Sequence, residues 1–116
     1  MTWKGLDQRA FPRLSAKCDL IIHDRIGGTI KAKTQNLGLG GLCVILDRAV
    51  EKLSQVRLRL MLAETIPPVQ CDGRVVWMVR TKEPALNKAA FDIGIEFLNL
   101  NPTDREQISN FINHPA

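Results

Sequence analysis

The sequence contains no tyrosine, and four Phe and two Trp make up its whole aromatic fraction of 5%. Proteins that bind single-stranded nucleic acid without sequence preference stack the bases on aromatic side chains. With so few aromatic residues, we expect no nucleic acid among the partners. The longest uninterrupted apolar runs, 42–46 and 75–79, hold five residues each, whereas a membrane-spanning helix needs about 20. We therefore expect no membrane insertion.

Cysteine and histidine are scarce as well. The three cysteines, Cys18, Cys43 and Cys71, include no CxxC pair and have no spacing typical of a zinc site. Each lies in an apolar, strand-like stretch, so we expect small buried thiols. The two histidines, His23 and His114, are 91 residues apart and form no recognisable catalytic motif with a nucleophile. These absences predict no catalytic residues, no metal site and no cofactor, and we do not expect an enzyme.

Length and charge are those of a small globular domain. The chain has 116 residues, with 16 Lys plus Arg against 12 Asp plus Glu, and a net charge of +4. That length predicts a single domain over 1–116, and the moderate basic excess suits an anionic partner. The first residues contain no apolar signal segment, so we expect a cytoplasmic location.

Apolar and polar residues alternate through most of the chain. In 55–62, Leu58 and Leu60 alternate with Arg57, which is typical of a strand with one buried face. Similar patterns predict strands near 14–24, 29–34, 42–46, 69–80 and 91–97, separated by turns rich in glycine or proline. Six short strands at this spacing predict a six-stranded antiparallel β-barrel over 14–98. Within it, Gly73 is the expected bend or bulge.

The end of the chain changes to a helical period. Asn101, followed by a proline, offers one helix start, and Thr103 with Glu106 offers a capping box as another. Ile108 begins an apolar stripe that continues three and four residues later. We expect a C-terminal α-helix over 102–113 that packs on the barrel. Binding of a partner helix by the stripe is the alternative.

The segment 9–13, which reads RAFPR, is the first candidate binding motif. Because a proline disfavours helix in the residue before it, Arg9 and Arg13 are expected on an extended, flexible arm comprising 1–13. Two guanidinium groups on such an arm can engage a phosphate, or the O6 and N7 atoms of guanine, in a bidentate manner. A solvated basic arm, common at chain ends, is the alternative.

The segment 36–41, which reads NLGLGG, is the second candidate binding motif. Three glycines in four residues permit positive φ angles and close approach of a ligand to the backbone, and successive N–H groups in such a turn can bind an anion. Asn36 carries both a donor and an acceptor for a base edge. A tight hairpin that needs glycine is the alternative. No helix follows the glycines, so this is not a dinucleotide-binding fingerprint.

In this order and on this strand pattern, the two segments resemble the PilZ domain family over about 9–112. The motifs of that family are an Arg-x-x-x-Arg segment before the first strand and an (Asp/Asn)-x-Ser-x-x-Gly turn after the second. Further similarity lies in 73–77, which reads GRVVW, and in 93–97, which reads IGIEF.

The resemblance implies a noncatalytic bacterial receptor for cyclic di-GMP that relays the signal to an effector protein, in processes such as motility and biofilm formation. It implies that Arg9 and Arg13 contact phosphates and guanine edges from the arm. Asn36 would hydrogen-bond guanine, and Gly41 would give the turn its shape and clearance. Trp77 would pack near a base, with a core or barrel-surface position as the alternative.

One ligand-facing position departs from the family pattern. Gly38 occupies the place of the motif serine, so a hydroxyl group is missing from the turn. Ala10 also stands where many members carry a third arginine. A neutral hydrogen bond is worth about 1 kcal/mol and one to a charged group about 1.5–3 kcal/mol, so the loss is expected to weaken binding by about tenfold. It also supports a second hypothesis, a ligand-independent PilZ-like adaptor that acts by protein contact in motility or pilus systems.

Overall fold

The computed structural model describes residues 13–83 and 88–114, and the side chains of 14–81 and 90–114. In chain order it contains β1 (Arg13–Leu14), β2 (Asp19–His23), β3 (Thr29–Gly38), β4 (Gly41–Leu46), β5 (Gln55–Met61), β6 (Val69–Glu83), β7 (Lys88–Leu98) and the helix α1 (Pro102–Asn113).

The six longer strands form a closed antiparallel barrel. They are hydrogen-bonded in the order β3-β2-β5-β6-β7-β4, and a further β3–β4 pairing closes the ring. The short strand β1 pairs with the end of β3, beyond β2. The predicted six-stranded antiparallel barrel is therefore confirmed, and closure leaves its long strands without unpaired edges.

Strand alternation determines which side chains fill the barrel. In β5 every second residue is buried, and the core receives Leu20, Ile22, Leu58, Leu60, Ile93 and Ile95, each at most 2% exposed. Burial of one such side chain stabilises the fold by about 1.5–3 kcal/mol. The outer face of the same strands carries charged residues, in the phase that the sequence predicts.

The predicted first strand, 14–24, is interrupted. Between β1 and β2 the backbone leaves the strand pairing. The buried side chain of Thr34 on β3 supplies hydrogen-bond partners for the backbone groups that are left unpaired there. Thr34 Oγ1 donates to the Ala16 carbonyl at 2.6 Å and accepts from Cys18 N–H at 2.9 Å. Because buried backbone groups must find partners, this threonine allows the chain to break there and still start β2 in register.

Gly73 is not a bulge, contrary to the prediction. It pairs regularly with Val56 on β5 and with Phe97 on β7, and the register of β6 shifts later, between Val75 and Trp77. A Cβ atom at position 73 would lie 2.7 Å from Ile95 Cγ2 and 2.8 Å from a Leu58 methyl group. Glycine stands there because the barrel interior has no room for a side chain.

The helix α1 closes one end of the barrel. Of the two predicted starts, the structure uses Asn101, whose Oδ1 accepts from Asp104 N–H at 2.7 Å. Ile108 and Ile112 are buried against the core, and Phe111 is half-buried beside them. The apolar stripe therefore covers its own barrel.

Candidate functional site

The two sequence motifs meet at the start of the barrel. Arg13 pairs with Gly38 and Leu14 with Leu37, through the antiparallel β1–β3 ladder. The end of the arginine motif therefore lies beside the glycine segment, on the neighbouring strand about 5 Å away. Arg9 and the side chain of Arg13 lie outside the described residues, so their contacts stay a prediction.

A bulge in β3 places Asn36 on the outer face of the barrel. The β3–β4 register shifts between Thr34 and Asn36, while Thr34 and Leu37 are both fully buried. In a regular strand residues two apart share a face, so Asn36 would point inward with Thr34. The extra residue reverses the phase, and the half-buried Asn36 lies outside, next to Cys43 of β4.

The glycine segment lies mostly within the strands. Asn36 to Gly38 belong to β3, and Gly41 already begins β4, so only Leu39 and Gly40 link the strands. Among the glycines of 13–83 and 88–114, Gly27 is the one with a positive φ. The segment therefore does not use the positive φ angles that its glycines permit, because both strands continue their extended backbone into it.

The link is fastened to the neighbouring strand. Phe97 N–H donates to the Gly40 carbonyl at 2.9 Å, and Gly41 pairs with Glu96 on β7. Gly41 is buried between β3 and β7. This tethering holds the turn rigidly, and a rigid turn presents the same backbone groups to each ligand.

Trp77 lies on the same outer face as Asn36. The cross-strand row runs Trp77, Gly94, Cys43, Asn36 over β6, β7, β4 and β3, so Trp77 and Asn36 are separated by three strand spacings, about 14 Å. The indole covers Gly94, where a Cβ atom would lie 2.6 Å from Trp77 Cδ1. Trp77 is half-buried at the barrel surface, and its packing near a base stays a prediction.

The indole N–H of Trp77 is buried and has no hydrogen-bond partner within the described residues. A buried donor without a partner costs about 1–3 kcal/mol. Because this nitrogen is buried against Gly94, an acceptor could reach it only if the indole moved.

Arg74 is a neighbour of the site that the sequence analysis did not single out. Arg74 of β6 pairs with Glu96 of β7, and its Nη1 lies 3.4 Å from Glu96 Oε1. Glu96 also pairs with Gly41 of β4. Arg74 on β6 is therefore separated from the glycine segment by the single strand β7. The sequence signal was present within the GRVVW segment, but only the β6–β7 register shows which residues Arg74 faces.

The three cysteines, Cys18, Cys43 and Cys71, are buried, as predicted. Burial, the largest cause, raises the pKa of Cys71 to about 11, so its thiol stays protonated near neutral pH. No group of three or more His, Cys, Asp or Glu within 13–83 and 88–114 is arranged to hold a metal ion. In the same ranges no helix has the length and hydrophobicity to cross a membrane.

Solved structures with this fold include several cyclic di-GMP complexes. The PilZ domain of Escherichia coli YcgR with cyclic di-GMP is 18% identical, with a TM-score of 0.76 over 92% of this chain and 90% of that chain. The inhibitor of motility MotI/DgrA of Bacillus subtilis is 18% identical, with a TM-score of 0.73 over 92% of this chain. The K. pneumonia MrkH–cyclic di-GMP complex is 16% identical, with a TM-score of 0.75 over 92% of this chain.

This chain spans 50% of MotI/DgrA and 52% of MrkH, so it corresponds to about half of each. At these identities the likeness shows the fold. No curated protein sequence matches the chain significantly. The family model for the PilZ domain, however, matches residues 7–114. This match includes both motifs and the whole barrel, and the chain belongs to the PilZ domain family.

Proposed function

We propose that this chain is a noncatalytic receptor for cyclic di-GMP. The single observation that carries the proposal is the β1–β3 pairing, in which Arg13 lies opposite Gly38. Two segments about 25 residues apart in sequence become one surface there, with a basic arm on one side and a rigid glycine turn on the other. The cyclic di-GMP complexes of YcgR and MrkH, which share the fold, support it.

The residues of the site suit the chemistry of the ligand. Guanidinium groups of Arg9 and Arg13 match phosphate oxygens and the O6 and N7 pair of guanine. Asn36, on the outer face, carries a donor and an acceptor for a base edge. Gly38 and Gly41 have no side chain between the ligand and the backbone. Trp77, half-buried on the same face, offers a flat apolar surface.

The receptor acts by reporting the messenger to an effector protein. Binding orders the arm against the barrel, and the ordered surface is what an effector recognises. We place this receptor in the cytoplasm, where it meets the nucleotide.

Gly38 favours one alternative, a ligand-independent adaptor. The motif hydroxyl is absent, and a site that lacks one hydrogen bond binds about tenfold more weakly. An adaptor would retain the barrel and its protein-contact surfaces without the nucleotide response.

Isothermal titration calorimetry of the full chain with cyclic di-GMP separates the two. GMP and cyclic di-AMP are the controls, since one lacks the second guanine and the other lacks the guanine edges. A saturable response to cyclic di-GMP alone supports the receptor. Absence of any response to it, with the protein folded, contradicts the receptor and leaves the adaptor.

A further inference from the structure

The outer face of β4, β7 and β6 carries an exposed apolar patch around one carboxylate. Asp92 of β7 lies directly between Ile45 of β4 and Val79 of β6 in the cross-strand register. Ile45 is 38% exposed and Val79 is 55% exposed. We refer to these three residues, Ile45, Asp92 and Val79, as the Asp92 patch.

Asp92 differs from Asp19, Asp72 and Glu96, the other strand carboxylates within 14–81 and 90–114, because each of those faces a cation on the next strand. The pairs are Asp19 with Lys33 at 3.2 Å, Asp72 with Arg57 at 3.1 Å, and Glu96 with Arg74 at 3.4 Å. Their register partners in the ladders are the same residues.

Asp92 has apolar neighbours on both sides, and no ion pair or hydrogen bond to it is found within 14–81 and 90–114. Partial burial raises the pKa of its carboxyl group. A carboxylate that has lost part of its water and gained no cation is poorly stabilised in the free protein. It gains most from a cation that arrives together with further desolvation.

We propose that the Asp92 patch is a docking surface for a partner protein that presents one Lys or Arg between apolar side chains. The aliphatic stem of such a residue would pack on Ile45 and Val79 while its charged end reaches the carboxylate. Apolar contacts around a central charge pair exclude water and strengthen it, as at the centre of protein interfaces.

The charge of the patch excludes other occupants. Phosphate groups of a nucleic acid or of an anionic membrane would meet the Asp92 carboxylate, which has no ion-pair partner among the side chains of 14–81 and 90–114. A second copy of this chain in a two-fold dimer would place the same patch against itself, which brings two Asp92 carboxylates together. A basic, partly apolar protein segment is the complement that remains.

The position of the patch gives it a role in signalling. Ile45, Asp92 and Val79 lie two residues along their strands from Cys43, Gly94 and Trp77, about 7 Å away. A partner on the patch would therefore border the candidate nucleotide site. This role as the relay surface rests on the proposed function, whereas the chemistry of the patch does not.

The test selects peptides from a random display library on the full chain, without nucleotide. Enriched peptides are synthesised with a fluorescein label, and their affinities are measured by fluorescence anisotropy. We expect a consensus with Lys or Arg flanked by apolar residues. Asp92→Asn should weaken these peptides by about tenfold or more, and Val79→Ser should weaken them by several fold. The matched controls Glu64→Gln and Ile26→Ser, exposed residues away from the patch, should bind like the parent.

A charge exchange keeps the test independent of folding defects. Asp92→Lys should lose the selected peptide and bind a version in which Glu replaces the basic residue. The proposal is overturned if no peptide is enriched, if the consensus lacks a basic residue, or if Asp92→Lys binds the original peptide unchanged. Peptide binding without a cyclic di-GMP response removes the receptor and keeps the patch, whereas a cyclic di-GMP response without peptide binding removes the patch alone.

Discussion

Arg9 and Arg13 are expected to contribute binding energy without contributing to folding. The sequence places them on the arm before the barrel core, so Arg9→Ala and Arg13→Ala should each cost about 1.5–3 kcal/mol of binding to cyclic di-GMP and leave the melting temperature unchanged. Lysine should not restore full affinity, because an ammonium group cannot make a two-pronged contact. Calorimetry and thermal unfolding of the same variants check this.

Arg25→Ala is the matched control, since Arg25 is an exposed arginine on the β2–β3 turn. If Arg9→Ala and Arg13→Ala both bind like the parent, the assignment of the site to this arm is wrong.

Gly38 tests how the turn contributes. It ends β3 and does not have a positive φ, so serine can adopt its backbone conformation. Gly38→Ser should restore the motif hydroxyl and tighten cyclic di-GMP binding by about fivefold to tenfold. The melting temperature should hold or rise slightly, because removal of glycine narrows the unfolded ensemble. Gly38→Ala, measured alongside, has the same backbone effect and no hydroxyl. Equal affinities for the two variants would favour the adaptor.

Cys71 makes the stability of the protein depend on pH in the alkaline range. Its thiol has a pKa of about 11 in the folded protein, raised mainly by burial from the ordinary value of 9.0. The unfolded chain therefore releases this proton at lower pH than the folded chain does. The free energy of unfolding should fall between pH 9 and 11, by about 2–3 kcal/mol from this group. Urea unfolding of the parent and of Cys71→Val measures it, and parallel pH profiles for the two would contradict it.

The stability of helix α1 depends on the N-cap of its first turn. Asn101 caps it by accepting from Asp104 N–H at 2.7 Å, and the helix buries Ile108 against the barrel. Asn101→Ala should lower the free energy of unfolding by about 1 kcal/mol, measured in urea. Asn110→Ala, an exposed asparagine inside the same helix, should leave stability unchanged or slightly higher because alanine favours helix. Equal losses for both variants would show that the cap is not the cause.

The sequence predicts most elements well because each depends on local alternation. The phase of β5 can be read from a few neighbouring residues, and the structure confirms it. For the helix the sequence offers two starts, and the structure uses Asn101. The β3 bulge cannot be read from neighbouring residues, because an extra residue in one strand is defined only by the pairing with the adjacent strand, here β4. The sequence therefore did not predict the register shift between Thr34 and Asn36.

Cross-strand register is the information that the sequence lacks. It places Gly73 in the core, against Ile95, and it brings Arg74 to Glu96 and Asp92 between two apolar residues. None of these neighbours is close in sequence. The residue types of the candidate site could be proposed in advance, whereas its surroundings required the closed barrel.

The charge of the whole chain predicts how binding responds to salt. A net charge of +4 is modest, and on the barrel several cations are already paired with carboxylates, such as Lys33 with Asp19 and Arg57 with Asp72. Cyclic di-GMP carries two phosphate charges, so its affinity should fall only modestly as ionic strength rises.

A duplex-binding protein releases many counterions and loses about 10³–10⁵ in affinity between 50 and 200 mM salt. Titrations with cyclic di-GMP and with random duplex DNA at several salt concentrations distinguish the two. Tight, salt-sensitive binding of DNA without a response to cyclic di-GMP would contradict both the receptor and the adaptor.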